Sequence, residues 1–153
     1  TDAQPGDAAG VYTGQVRWQA PKKSQLLLAD ASALPALWHI LEHYEALSPE
    51  TLGSVDVVAM IADDAEIEDG LEETWRDKVR SLTMVLAPHD EHCTRARQLL
   101  GSRFTPDTAP DSVWVSGEGD LAKAVRSLAV YDWGVPREDV IWSVYWMNGK
   151  PRP

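Results

Sequence analysis

SVWVSGEGDLAKAVRSLAVYDWGVPREDVIWSVYWMNGK, residues 112–150, is the stretch that decides the fold. An apolar run at 113–115 leads into the small-residue turn Gly117-Glu118-Gly119. A helical pattern follows, Gly134-Val135-Pro136 stops it, and a second apolar run covers 140–146. Strand, tight turn, helix and strand in that order is the repeating unit of a doubly wound α/β protein. Ligands of such sheets sit beyond the carboxyl ends of the strands. The glycine turn, and Tyr145 and Trp146 at the last strand's end, therefore mark where a site is expected.

The same unit recurs towards the N-terminus. QLLLADA (25–31) is a short continuous apolar run of the kind found in a central parallel strand covered on both faces. Ser32 can cap the next helix, Pro35 suits its first turn, and Leu34, Leu37, Trp38, Leu41 and Tyr44 recur at helical spacing, which predicts a helix to Leu47. Ser48-Pro49-Glu50 and Gly53 break it before a second buried strand at 54–63. The acidic segment 63–79, interrupted by Gly70, reads as a solvated connection with a short helical turn. A third strand is expected at 81–88, a short helix stopping at Gly101, and turns at 104–111.

These units predict a doubly wound, mostly parallel five-stranded sheet with helices on both faces. It occupies residues 24–150, after a flexible lead at 1–23 and before a tail at 151–153. VYTGQVRW (11–18), inside the lead, reads as a short edge strand or a linker.

Charge and composition narrow the function classes. The 153 residues carry a formal net charge of −10, a mean field that opposes a nucleic-acid partner. No apolar run approaches the ~20 residues of a membrane span, and the opening TDAQPGDAAG lacks the basic and apolar regions of a signal peptide. A cytoplasmic location, with no membrane partner, is expected. Cys93 is the single cysteine, so no intrachain disulfide can form, and no pattern sets a base against it for nucleophilic work. His39 and His43 have a metal-compatible spacing without a third ligand, and the acidic cluster 63–69 lacks the fixed spacing of a calcium loop. No catalytic residue and no metal site is expected.

Gly117-Glu118-Gly119-Asp120-Leu121-Ala122 matches a G-x-G-x-x-A dinucleotide pattern, but it follows the fourth strand where the plain Rossmann fingerprint opens the first βα unit. A phospho-receiver domain shares the sheet but requires an acidic pair after the first strand, where only Asp30 stands.

Three segments in order carry a more specific likeness. LADASALPAL (28–37), VWVSGEGDLAKAVRSL (113–128), and GVPREDV followed by SVYWMNGK (134–150) resemble the nicotinamide-nucleotide half of the siderophore-interacting proteins. These are flavin-dependent ferric-siderophore reductases similar in architecture to ferredoxin reductases. The resemblance spans roughly residues 24–150. It implies a ferredoxin-reductase-like nucleotide-binding domain that takes NAD(P)H, with Asp30, Ser32, Ala33 and Leu34 on the loop that receives the dinucleotide. Gly117 would then let the nicotinamide side approach the backbone, Glu118 would accept a hydrogen bond from a ribose or amide, and Tyr145 and Trp146 would lie near the flavin–nicotinamide junction.

Several positions depart from that pattern. Ala31 stands where the family has Glu, Val144 where it has Gly, and Met147 where it has a basic residue. Pro88-His89-Asp90-Glu91, after the third strand, offers acidic groups that oppose a 2′-phosphate. The family binds FAD on an antiparallel barrel that precedes the nucleotide domain, and the residues before the first strand are too few to form one. A hydride must be split into single electrons by the flavin before iron is reduced. The chain is thus expected to hold the nucleotide and to need a flavin-binding domain or flavoprotein as partner, meeting the ferric siderophore only indirectly. The alternative is a stand-alone relative acting as a binding or protein-interaction module without reductase activity.

Overall fold

The computed structural model describes residues 23–151, so the segment 11–18 lies outside the described residues. Five parallel strands, β1 (Gln25–Asp30), β2 (Val55–Ile61), β3 (Ser81–Leu86), β4 (Ser112–Glu118) and β5 (Val140–Trp146), form one sheet in the order β3-β2-β1-β4-β5. The expectation of a mostly parallel sheet is met by a wholly parallel one. The three inner strands β2, β1 and β4 are buried along their whole length, which is why they read as unbroken apolar runs. The edge strands β3 and β5 are only partly covered.

Two apolar cores lie on opposite faces. On one, Leu37, Leu41 and Tyr44 of α1 (Leu34–Leu47) and Trp75 of α2 (Leu71–Trp75) pack on Leu27, Val57 and Trp114. On the other, Ala96 and Leu100 of α3 (His92–Arg103) and Leu121 and Val125 of α4 (Gly119–Ser127) pack on Leu28, Val58 and Val115. Alternate residues of each inner strand feed alternate cores, as the pleat requires. The chain winds outward from β1 in both directions, so the strand order reverses between β1 and β4. A doubly wound sheet opens its ligand crevice at such a reversal.

Two local expectations are corrected. Ser32 does not cap α1: it lies in a 3₁₀ turn (Ala31–Ala33) where the Asp30 carboxylate accepts its N–H, and α1 begins after Ala33 without a side-chain cap. Gly101 does not stop α3, which continues to Arg103, because nothing crowds that position and helix geometry costs the glycine only entropy. After α4 the chain widens into a π turn (Leu128–Asp132) before Gly134, at φ +74°, ends it. The acidic connection does hold the expected short helix, α2, entered from Gly70 at φ +85°.

The amino-terminal ends of the strands are closed by structural polar pairs. Asp56 is buried and accepts from the Arg80 guanidinium and from Ser81 Oγ, and the Arg80 charge is held more firmly as a result. Asp111 accepts from Ser24 N and Oγ, tying β1 to β4. That end of the sheet is sealed, and the carboxyl end is the one that opens.

Candidate functional site

Asp30 ends β1 at the strand-order reversal and is 1% exposed. One carboxylate oxygen accepts from Ser32 N (3.0 Å) and from the Ser32 hydroxyl. The other accepts from Glu118 N (2.7 Å) and from Trp146 Nε1 (2.9 Å). Four donors satisfy this buried carboxylate, and among the described residues no Lys or Arg pairs with it. A single side chain thereby joins the ends of β1, β4 and β5.

Two backbone features make that convergence possible. Gly117 has φ +141°, and a Cβ there would stand 2.4 Å from Asp30 Cγ, so the space that glycine leaves is filled by the Asp30 carboxylate. The β4–β5 register then slips, Gly117 facing Val144 and Glu118 facing Trp146. A slip of this kind re-aims a side chain at a strand end, here turning the Trp146 indole N–H towards Asp30.

The other half of the glycine turn is also occupied by the chain itself. Glu118 is buried and its Oε2 accepts from Asp120 N (2.8 Å) and Leu121 N (3.0 Å), capping α4, while Oε1 accepts from Asn148 N (3.1 Å). A Cβ on Gly119 would lie 3.2 Å from Met147 Cγ and 3.3 Å from Val144 Cγ1. The two bulky departures from the family pattern therefore cover this glycine. The α4 N-terminus carries a carboxylate in the position an anionic ligand would take.

The α1 N-terminus has no side-chain cap of its own, although Asp30 caps the 3₁₀ turn leading into it by accepting from Ser32 N. It opens beside a cleft of about 340 Å³ lined by Asp30, Ala31, Ser32, Glu66, His89, Tyr145 and Trp146. Four of the eight residues singled out in the sequence, Asp30, Ser32, Tyr145 and Trp146, line that cleft. Gly117 and Glu118 lie beneath it as its framework. Ala33 and Leu34 are buried in the α1-side core, so only their backbone can face a ligand. Burial, and then the Asp30 charge, push the Tyr145 hydroxyl above its ordinary pKa, keeping it a neutral donor.

Glu66 and His89 were not singled out as site residues. Glu66 follows β2 in a 3₁₀ turn (Asp64–Glu66) and its Oε2 accepts from Ala62 N (2.8 Å). His89 follows β3, its Nε2 3.9 Å from Glu66 Oε1 and its ring edge-on to Trp146 with centroids 5.3 Å apart. Their signal was positional: each lies just past the carboxyl end of a predicted parallel strand.

The remaining candidates stay apart from the cleft. Cys93 is partly buried, and burial together with Glu118 and Asp120 raises its thiol pKa, with Arg97 pulling weakly the other way. His39 is exposed beside Glu42, and among the described residues no three His, Cys, Asp or Glu side chains converge as a metal site. Nor is any helix among them long and apolar enough to cross a membrane.

Comparison with known proteins agrees with this architecture. Ferric acinetobactin reductase of Acinetobacter baumannii is 28% identical over 130 residues, which are 84% of this chain and 41% of that protein. The siderophore-interacting protein SipS from Aeromonas hydrophila shares the fold, with a TM-score of 0.65 at 18% identity over 86% of this chain and 49% of that one. Ferredoxin-NADP+ reductase from Plasmodium falciparum does so at 0.62 and 9% identity, over 80% of this chain and 52% of its own. The chain thus spans about half the length, or less, of these relatives. Residues 22–149 match the sequence model of the siderophore-interacting proteins, and the chain belongs to that family.

Proposed function

We propose that this chain is the NAD(P)H-binding part of a ferric-siderophore reductase, presenting the nucleotide to a flavin held on another domain or protein. The observation that carries the reading is the uncapped N-terminus of the 14-residue helix α1, opening at the strand-order reversal beside a cleft with the Tyr145 and Trp146 rings in its wall. The helix dipole there suits a diphosphate. The α4 terminus, already neutralised by Glu118, does not.

Within that reading, Ser32 and the α1 backbone N–H groups hold the diphosphate, and Tyr145 and Trp146 give the nicotinamide ring a flat apolar wall. Asp30 is a positioning residue that fixes Trp146 and Ser32 through its four hydrogen bonds. Glu118 caps α4 and so fixes the glycine turn beneath the cleft. Bound nicotinamide supplies a hydride, and the flavin converts its electron pair into the single electrons that iron accepts. The siderophore complex is the partner's substrate in this scheme.

One observation favours a second reading, a binding or interaction module without a nucleotide: Val144 and Met147 cover Gly119, and among the described residues no Lys or Arg lines the cleft. Titration of NADH and NADPH against tryptophan emission separates the two, because reduced nicotinamide absorbs where tryptophan emits. Saturable quenching, weakened in Trp146→Ala, is expected. Its absence at millimolar concentrations of both nucleotides leaves the interaction module.

A further inference from the structure

Resting on the nucleotide reading, we infer that the cleft discriminates by the charge of the ring it holds, taking the oxidised, cationic nicotinamide more tightly than the reduced, neutral one. Two carboxylates, Asp30 and Glu66, and two large aromatic side chains, Tyr145 and Trp146, share its wall, and among the described residues no Lys or Arg joins them. An electron-rich ring face beside negative charge attracts a flat cation, whereas a neutral ring of the same outline gains only dispersion and apolar contact. Pyridinium and dihydropyridine are such a pair, one unit of charge apart. The diphosphate carries the same charge in both nucleotides, so it cancels from the comparison.

The charge of the wall is arranged around Trp146, whose indole Nε1 donates to Asp30 Oδ2 (2.9 Å). A donor bonded to a carboxylate is polarised, which shifts electron density into the indole and strengthens the pull of its face on a cation. His89 stands edge-on to the same ring with centroids 5.3 Å apart, and its Nε2 lies 3.9 Å from Glu66 Oε1. The indole is therefore bonded to one carboxylate and has a second just beyond the imidazole it touches. Glu66 is held there by Ala62 N, which donates to its Oε2 (2.8 Å). Coulomb attraction falls off only as the inverse of distance, so neither carboxylate has to point an oxygen at the ring. The Asp30 charge also reaches Tyr145, whose hydroxyl is pushed up first by burial and then by that carboxylate. Glu118, beneath the cleft, contributes little, because its charge faces the N–H groups of the α4 N-terminus. Tighter binding of the oxidised ring makes the bound reduced nucleotide the stronger hydride donor. A tenfold difference lowers the potential of the bound two-electron couple by about 30 mV.

Calorimetric titration of NAD+ and NADH into the wild-type chain and Glu66→Gln tests this. The 1-methylnicotinamide cation and neutral nicotinamide supply the same contrast without a diphosphate, followed by NMR at the Trp146 indole N–H. In the wild type NAD+ binds about tenfold more tightly than NADH, and 1-methylnicotinamide shifts the indole resonance at lower concentration than nicotinamide. Both preferences shrink severalfold in Glu66→Gln, which keeps an oxygen for the Ala62 N–H and whose fold a thermal melt verifies. The wild-type comparison needs no variant. Equal or reversed affinities for NAD+ and NADH there, or a ratio unmoved in folded Glu66→Gln, overturn the inference while leaving the nucleotide site standing. Binding of neither nucleotide overturns the site itself, and this inference with it.

Discussion

The partnership of Asp30 with Gly117 is where a single residue type has the largest consequence. Glycine is required at 117 on two grounds, a φ of +141° and an Asp30 carboxylate where a Cβ would go. Gly117→Ala is expected to lose about 2–4 kcal/mol of stability, since both a strained φ and a displaced buried hydrogen-bond network contribute. Denaturant unfolding measures this, and an unchanged midpoint would contradict it. Cys93 makes a pH statement: with its pKa raised, the thiolate fraction at neutral pH falls below that of a free cysteine. Alkylation by iodoacetamide in the native protein should be slow at pH 7.5 and accelerate as pH rises beyond the ordinary thiol range. Asp30, Ser32, Gly117, Glu118, Tyr145 and Trp146 were all legible as important, yet their contacts were not. The bond from Glu118 N to Asp30 joins residues 88 apart, and no local pattern encodes which group will fill a glycine's space.

Among the elements, the strands were the most legible, because burial on both faces writes itself as an apolar run. Helix ends were less so. Gly101 reads as a stop, yet it lies inside α3 at an ordinary helical φ with open space around its Cα. Gly101→Ala should therefore stabilise the protein by about 0.5–1 kcal/mol, the entropy difference between the two residues in a helix interior. A fall in melting temperature would mean that the helix does not pass through this residue. Glu118 shows the converse, a residue with a local role as a cap that its sequence context did not announce. Glu118→Ala leaves the N–H groups of Asp120, Leu121 and Asn148 without their acceptor. A loss of about 1–3 kcal/mol is expected from the lost α4 cap and the buried Leu121 donor left unpaired, and denaturation of the variant checks it.

At the scale of the whole molecule, the two ends of the sheet divide the work. The amino-terminal end is locked by Arg80 with Asp56 and by Ser24 with Asp111. The carboxyl end brings together the last residues of β1 and β5 and residues just after β1, β2 and β3 around the cleft. That convergence follows from strand order, and the order was legible from the βα repeats only as a class, because the sequence does not state which strands are neighbours. Glu66 and His89 consequently entered the site through topology, while the ordered motifs around Asp30, Gly117 and Tyr145 already pointed to the family.

The central claim is that this carboxyl end holds a nicotinamide nucleotide against α1. Amide-resolved ¹H–¹⁵N NMR of the chain titrated with NADH tests it most directly. Saturable shifts are predicted for the amides of Ser32, Leu34, Glu66 and His89 and for the Trp146 indole N–H, with Asp56, Arg80 and Asp111 at the opposite end unmoved. Shifts confined to other surfaces, or none at millimolar NADH, would contradict the account.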